Sequence, residues 1–294
     1  MGSLIRGFAT IKEIHRSMIF FKRYPILPVL CLLPVVICGI FGPWFFPHDP
    51  MKMDLANTLK PPFFAMKGSI SFFLGTDHMG RDLLSRLIEG ARISLIISVC
   101  GVFFSGFIGV SLGMIAGFLG GTVDEVIMRV ADAVMSIPAI LLAILLAAGI
   151  GAGAVTIIIS IALIFWTGYA RVIRGETISL AQRDYVTLAQ VTGCSNFRIL
   201  KRHILPNLIS TITVLASLQL GRAILIEASM TFLGVGLQPP AAAWGLMISE
   251  GRMYMATGWW IPTFSGLAIA MTVLGANLMG DWLRDKFDPK LRQL

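Results

Sequence analysis

Residues 93–120 read ISLIISVCGVFFSGFIGVSLGMIAGFLG, and no Asp, Glu, Lys or Arg interrupts them. A bilayer core of roughly 30 Å takes about 20 apolar residues of α-helix to cross, so this stretch reads as a membrane span. Within it Gly109, Gly113 and Gly117 recur every fourth residue, a small-residue face on which a second helix can pack closely. The same test finds charge-free runs at 24–46, 133–170, 204–221 and 253–280. The run 133–170 is about twice one span, and GIGAGA at 149–154 divides it as a tight hairpin.

Composition agrees with this reading. Only 14% of the 294 residues are charged and 56% are hydrophobic, against roughly 25% charged in an ordinary soluble domain. The net charge of +8 arises from Lys and Arg clusters that flank apolar runs, the pattern of membrane topology rather than of a nucleic-acid surface. Cys31, Cys38, Cys100 and Cys194 have neither CxxC nor metal-ligand spacing and read as buried thiols.

Charge bias orients the spans. Residues 1–23 carry Arg6, Lys12, Arg16, Lys22 and Arg23 against Glu13 alone, which places this segment in the cytoplasm. A first transmembrane helix follows at 24–46, ending in the interfacial aromatics Trp44, Phe45 and Phe46, and then an external segment at 47–92. The transmembrane core is expected over 93–283. It has a short cytoplasmic connector at 120–134, a basic cytoplasmic loop at 171–206, a fifth span near 207–236, an external loop and a sixth span near 261–280. Residues 284–294 form a cytoplasmic tail. The expectation is six transmembrane helices with both termini inside.

Two polar stretches stand out. In RDYVTLAQVTGCSNFRILKRHILPN, residues 183–207, Tyr185, Leu188, Ala189 and Thr192 share one face of a short helix around Thr187, and Gly193 is placed to cap its end. Ser195 can start a second helix in which Phe197, Leu200 and Ile204 share a face beside Arg198, before Pro206 marks the return to the membrane. The result is a compact basic knob. In GTDHMGRDLLSRLIEGARISL, residues 75–95, Gly75 and Gly80 punctuate a turn in which Asp77 or Thr76 caps a helix start next to Arg81. Asp82 with Arg86, and Glu89 with Arg92, are spaced to pair on its polar face. This reads as an elbow helix lying on the external interface before the second span.

Glu227 falls inside a predicted span, where an acid costs roughly 2.5 to 3.5 kcal/mol on insertion scales. Two roles stay open, an ion pair or subunit contact involving Arg222, or a place on the substrate pathway. No phosphate-binding loop, H-E-x-x-H or G-x-S-x-G motif occurs, so the chain is expected to bind no metal or cofactor and to catalyse nothing.

The knob resembles the cytoplasmic coupling loop of binding-protein-dependent ABC importers, a motif with an E-A-A triplet, a following glycine and a Leu-Pro pair. Gly193 and Leu205-Pro206 match, while Thr187, Leu188 and Ala189 stand where the triplet would be. The 75–95 stretch, EASMTFLGVGLQPPAAAWGLMI at 227–248 and NLMGDWLRDKFDPKLR at 277–292 are similar to the second membrane subunit of the dipeptide, oligopeptide and nickel permeases. The resemblance implies an all-α integral membrane protein of the type I importer permease fold, moving peptides, nickel or a metal chelate. It further implies a homologous second permease subunit, two cytoplasmic ATPase subunits that hold ATP and Mg and receive the knob, an external solute-binding protein, and residence in the lipid of the bacterial inner membrane. A self-sufficient secondary transporter or channel is the alternative class.

Overall fold

The computed structural model describes residues 25–66 and 68–287; the basic residues of 1–23 and the end of the tail lie outside them. In chain order the helices are α1 (Ile26–Phe45), α2 (Leu83–Leu119), α3 (Gly121–Met135), α4 (Ala139–Ile150) and α5 (Ala154–Ala181). There follow α6 (Asp184–Val191), α7 (Asn196–Ile199), α8 (Leu205–Phe232), α9 (Trp244–Gly251) and α10 (Trp260–Phe287). Five stretches are long and apolar enough to cross a membrane: α1, α2, α5, the continuous Asn196–Phe232 and α10.

The one further candidate among the described residues is a bent pair and not a single helix. Helices α3 and α4 meet at 90° across residues 136–138 and qualify as a span only together. Pro138 explains the break, because it disfavours helical backbone at the residue before it. At 12 residues α4 is about 18 Å long, too short to cross alone. The region 120–134, expected to be a short connector, is therefore mostly helical. Its charged side holds α3 to α5: Arg174 pairs with Asp124, and Arg171 lies 2.5 Å from Asp132. The hairpin at 149–154 is present, with Gly151 and Gly153 at positive φ.

Small residues decide which helices meet. A Cβ on Gly113 would stand 2.6 Å from the Ala170 carbonyl, and one on Gly117 equally close to that of Arg174. The small-residue face of α2 is thus the seam along which α5 packs. At α10, a Cβ on Gly275 would come within 2.9 Å of Cys31 on α1. Buried side chains form clusters along these seams, around Leu83, Trp244 and Trp260 at one end and around Tyr169, Ile173 and Ile204 at the other.

Two expected elements take other forms. The elbow at 83–92 is not a separate interfacial helix but the opening turns of the 37-residue α2, capped by Asp82 rather than by Asp77 or Thr76. The loop after α8 folds into α9, whose Trp244 is 2% exposed and donates from Nε1 to the Leu87 carbonyl at 3.0 Å.

Candidate functional site

The knob is built as two layers. Helix α6 ends at Val191, and Gly193 reverses the chain at φ +79°, donating its N–H to the Gln190 carbonyl while Cys194 N–H reaches back to that of Ala189. Ser195 takes the N-cap position of α7, its carbonyl accepting from Ile199 N–H and its side chain making no cap bond. The chain then passes through a π-helical turn at Leu200–Ile204 into α8, with Pro206 at its start. Proline has no N–H to give the carbonyl four residues back, which suits a wider turn just ahead of it.

Burial divides the knob's side chains differently from the helical pattern. Val186, Ala189, Ile199, Ile204 and Leu208 are buried against Tyr169 and Ile173, while Tyr185, Leu188 and Phe197 point outward. Leu188 is 64% exposed, Val191 80% and Phe197 74%. Thr187, Thr192 and Arg198 are exposed beside them, and Leu200 is partly covered. Of the residues expected to share a face, Ala189 and Ile204 are buried and Leu200 is half-covered, while the others are exposed. Apolar side chains therefore cover the outside of a knob that already has its own small core.

At the other end of the molecule the predicted elbow residues are buried. Gly75 and Gly80 take φ of +85° and +73°. Between them Asp77 accepts from the N–H groups of Met79 at 2.8 Å and Arg81 at 3.0 Å, and from Arg81 Nε at 2.6 Å. Arg81 reaches on to Glu250 at 3.0 Å, and Arg86 lies 3.5 Å from Asp77 and 3.6 Å from Glu250. Asp82 does not pair with Arg86; it accepts from Ser85 N–H and from Ser85 Oγ. No ion pair joins Glu89 to Arg92 among the described residues. At 1 to 2% exposure, the side chains of Asp77 and Arg81 have no surface to offer a docked protein.

Glu227 and Arg222 part company. Five residues separate them, about 140° around a helix at about 100° per residue. Glu227 is fully buried and accepts from Ser94 Oγ at 2.8 Å and Thr231 Oγ1 at 3.2 Å, so the proposed ion pair with Arg222 is not formed. Arg222 is exposed and lines a cavity of about 330 Å³ at the α3/α4 break, with Gln219, Thr167, Gly168, Phe165 and Pro138. Sequence reading did not single out Glu250 or Gln219. Glu250 pairs with a residue 169 positions away, which no local spacing announces, whereas Gln219 stands one turn before Arg222 on the same face, a signal that could have been read.

Residues 109–293 match the model of the family described as binding-protein-dependent transport system inner membrane component. The chain is 40% identical over 264 residues to a di/tripeptide transport system permease protein DppC of Pseudomonas aeruginosa, covering 90% of this chain and 87% of that one. It is 40% identical to a probable D,D-dipeptide transport system permease protein DdpC of Escherichia coli, covering 87% and 84%. To a glutathione transport system permease protein GsiD of Pectobacterium atrosepticum it is 42% identical, covering 90% and 86%. Its fold resembles a chain of the MetNI methionine ABC transporter in an inward-facing conformation, with a TM-score of 0.55 at 16% identity, over 70% of this chain and 98% of that one. The chain thus belongs to the binding-protein-dependent permeases, as a non-catalytic ABC importer subunit of the peptide and nickel branch whose ATP hydrolysis takes place on separate subunits.

Proposed function

We propose that this subunit forms half of the path by which a peptide or related small solute enters the cell, and that the knob at 183–207, which is shorter than the expected loop at 171–206 because α5 runs on to Ala181, is where ATPase subunits grip it. The observation that carries this reading is the outward apolar surface of the knob. Tyr185, Leu188, Val191 and Phe197 stand exposed on helices whose opposite side is anchored by Val186, Ala189 and Ile199. An exposed apolar patch on a rigid base is the form an interface takes. The relatives named for di/tripeptide, D,D-dipeptide and glutathione transport support a peptide-like cargo.

The remaining parts follow from that assignment. A homologous second permease subunit completes the path, an external solute-binding protein delivers cargo, and two ATPases hold ATP and Mg on the knob side. Both termini and the knob lie in the cytoplasm, with 47–82 and α9 outside the inner membrane. Closure of the ATPases on ATP draws the two knobs together, and the helices expose the path to one side and then the other.

The test is co-purification in mild detergent. Leu188→Asp with Phe197→Asp leaves the knob's core untouched and is expected to release the ATPase subunits while the permease pair stays whole. Retention of the ATPases by the double variant, or transport in liposomes by this chain alone, would favour a self-sufficient carrier instead.

A further inference from the structure

From the cavity at the α3/α4 break, we infer that Arg222 and Gln219 receive the carboxyl-terminal end of the transported solute, Arg222 pairing with its carboxylate and Gln219 accepting from the adjacent amide N–H. This deepens the peptide-import reading and rests on it.

Depth is the first observation. Arg222 lies ten residues before the Phe232 end of α8, about 15 Å along the axis, and the N-terminal end of α4 lies about 18 Å from its Gly151 end. The two reach the cavity at similar distances from the ends of their helices, inside stretches long and apolar enough to cross a membrane. A guanidinium there normally has an acid beside it, yet among the described residues no carboxylate lies within 4 Å of Arg222. Glu227, the acid nearest in sequence, faces Ser94 instead.

Gln219 supplies an independent observation. It is 8% exposed, and its amide oxygen is buried without any hydrogen-bond partner. A buried acceptor left unpaired is costly, and because Gln219 lines the cavity a turn of its amide brings that acceptor to a donor on whatever enters. The third contribution is the start of α4. Pro138 and Ala139 line the cavity, and no side chain caps this helix. Its first N–H groups, without partners in the helix, add positive potential at the same place. Two sources of positive charge beside one free acceptor match the –NH–CHR–COO⁻ end of a peptide, with the planar guanidinium suited to a carboxylate.

The experiment uses the complete importer in proteoliposomes with its binding protein. The probe is the free-carboxylate dipeptide that the wild type accumulates best from a panel, together with its C-terminal amide, each calibrated by calorimetry on the binding protein alone. Arg222→Gln is expected to lower kcat/KM for the dipeptide about 10- to 100-fold, the span expected for loss of a charge-assisted hydrogen bond. Arg222→Lys should recover part of that, while uptake of the amide changes little and the complex co-purifies intact with normal ATPase activity. Three results would overturn the proposal alone: undiminished dipeptide uptake by Arg222→Gln, equal loss for dipeptide and amide, or a complex that falls apart, which would make Arg222 a contact with the second permease. A wild-type importer that accumulates no dipeptide from the panel would overturn the peptide reading itself, and this inference with it.

Discussion

Ser94 on α2 donates a 2.8 Å hydrogen bond to Glu227 on α8, joining two helices whose residues here are 133 positions apart. Thr231 Oγ1 donates to the same carboxyl group and accepts the Leu237 N–H at 3.4 Å, so the side chain also fixes the turn out of α8. Glu227→Gln keeps an acceptor for Ser94 and removes no partner from Arg222; its melting temperature should stay near that of the wild type. Glu227→Leu leaves both hydroxyls unmatched and should cost about 1–3 kcal/mol. Thermal unfolding of the detergent-purified complex distinguishes the two, and a Gln variant as unstable as the Leu variant would exclude this account.

Glu250 is the acid on which two buried arginines converge. Arg81 and Arg86 are 1% and 0% exposed, and with Glu250 gone Asp77 is the one acid left within 4 Å of them among the described residues. Removing one member of a buried charge cluster typically costs about 3–5 kcal/mol, so Glu250→Ala should lower the yield of folded protein on size-exclusion chromatography. Glu125→Ala is the control. Its pair with Arg129 is surface-exposed, and its loss should leave the yield unchanged.

Two glycines, one on the α2/α5 seam and one in α4, should respond in opposite ways to a side chain. At Gly113 a side chain would press on the Ala170 backbone, and Gly113→Leu should destabilise by about 1–3 kcal/mol. At Gly149, in the last turn of α4, a Cβ would meet nothing within 4 Å. Gly149→Ala should therefore be neutral or gain up to about 1 kcal/mol from helix propensity. Paired thermal melts are enough to read the difference.

How far sequence alone could go is clear from these same residues. Spans and the small-residue face of α2 were legible because hydropathy and a four-residue repeat are local properties of a helix. Gly193 was legible because a glycine between two short helical patterns has few other uses. The α3/α4 break was written in Pro138, but it sits inside a run apolar enough to pass as continuous membrane helix. The Ser94 partner of Glu227 and the Glu250 partner of Arg81 were not legible. Both are set by which distant helices pack together, and a nearby opposite charge such as Arg222 misleads when the helical turn points it elsewhere.

Orientation in the bilayer is testable with residues now known to be exposed. In a background with Cys31, Cys38, Cys100 and Cys194 replaced, Met253→Cys should react with an impermeant thiol reagent in intact cells. Phe197→Cys should react only after the cells are opened. The reverse pattern would invert the topology and remove the knob from the side where ATP is found.

Gly193 provides the sharpest test of coupling. Its φ of +79° lies in the left-handed region, where a side chain with a Cβ costs about 1–2 kcal/mol, and a β-branched one is a severe outlier. A Cβ there would touch nothing within 4 Å, so Gly193→Val acts through backbone strain and through whatever meets the knob from outside, not through a clash within this chain. Membrane helices satisfy their backbone hydrogen bonds internally and do not rely on this turn, which predicts normal insertion and a normal yield of the permease pair. The turn itself should shift, moving Leu188 and Phe197 out of register with each other. ATPase retention and solute uptake should then fall together, with Gly193→Asn milder than Val because asparagine tolerates the left-handed region. If Gly193→Val instead holds its ATPases and transports at the wild-type rate, the knob is a passive connector and force enters the permease elsewhere.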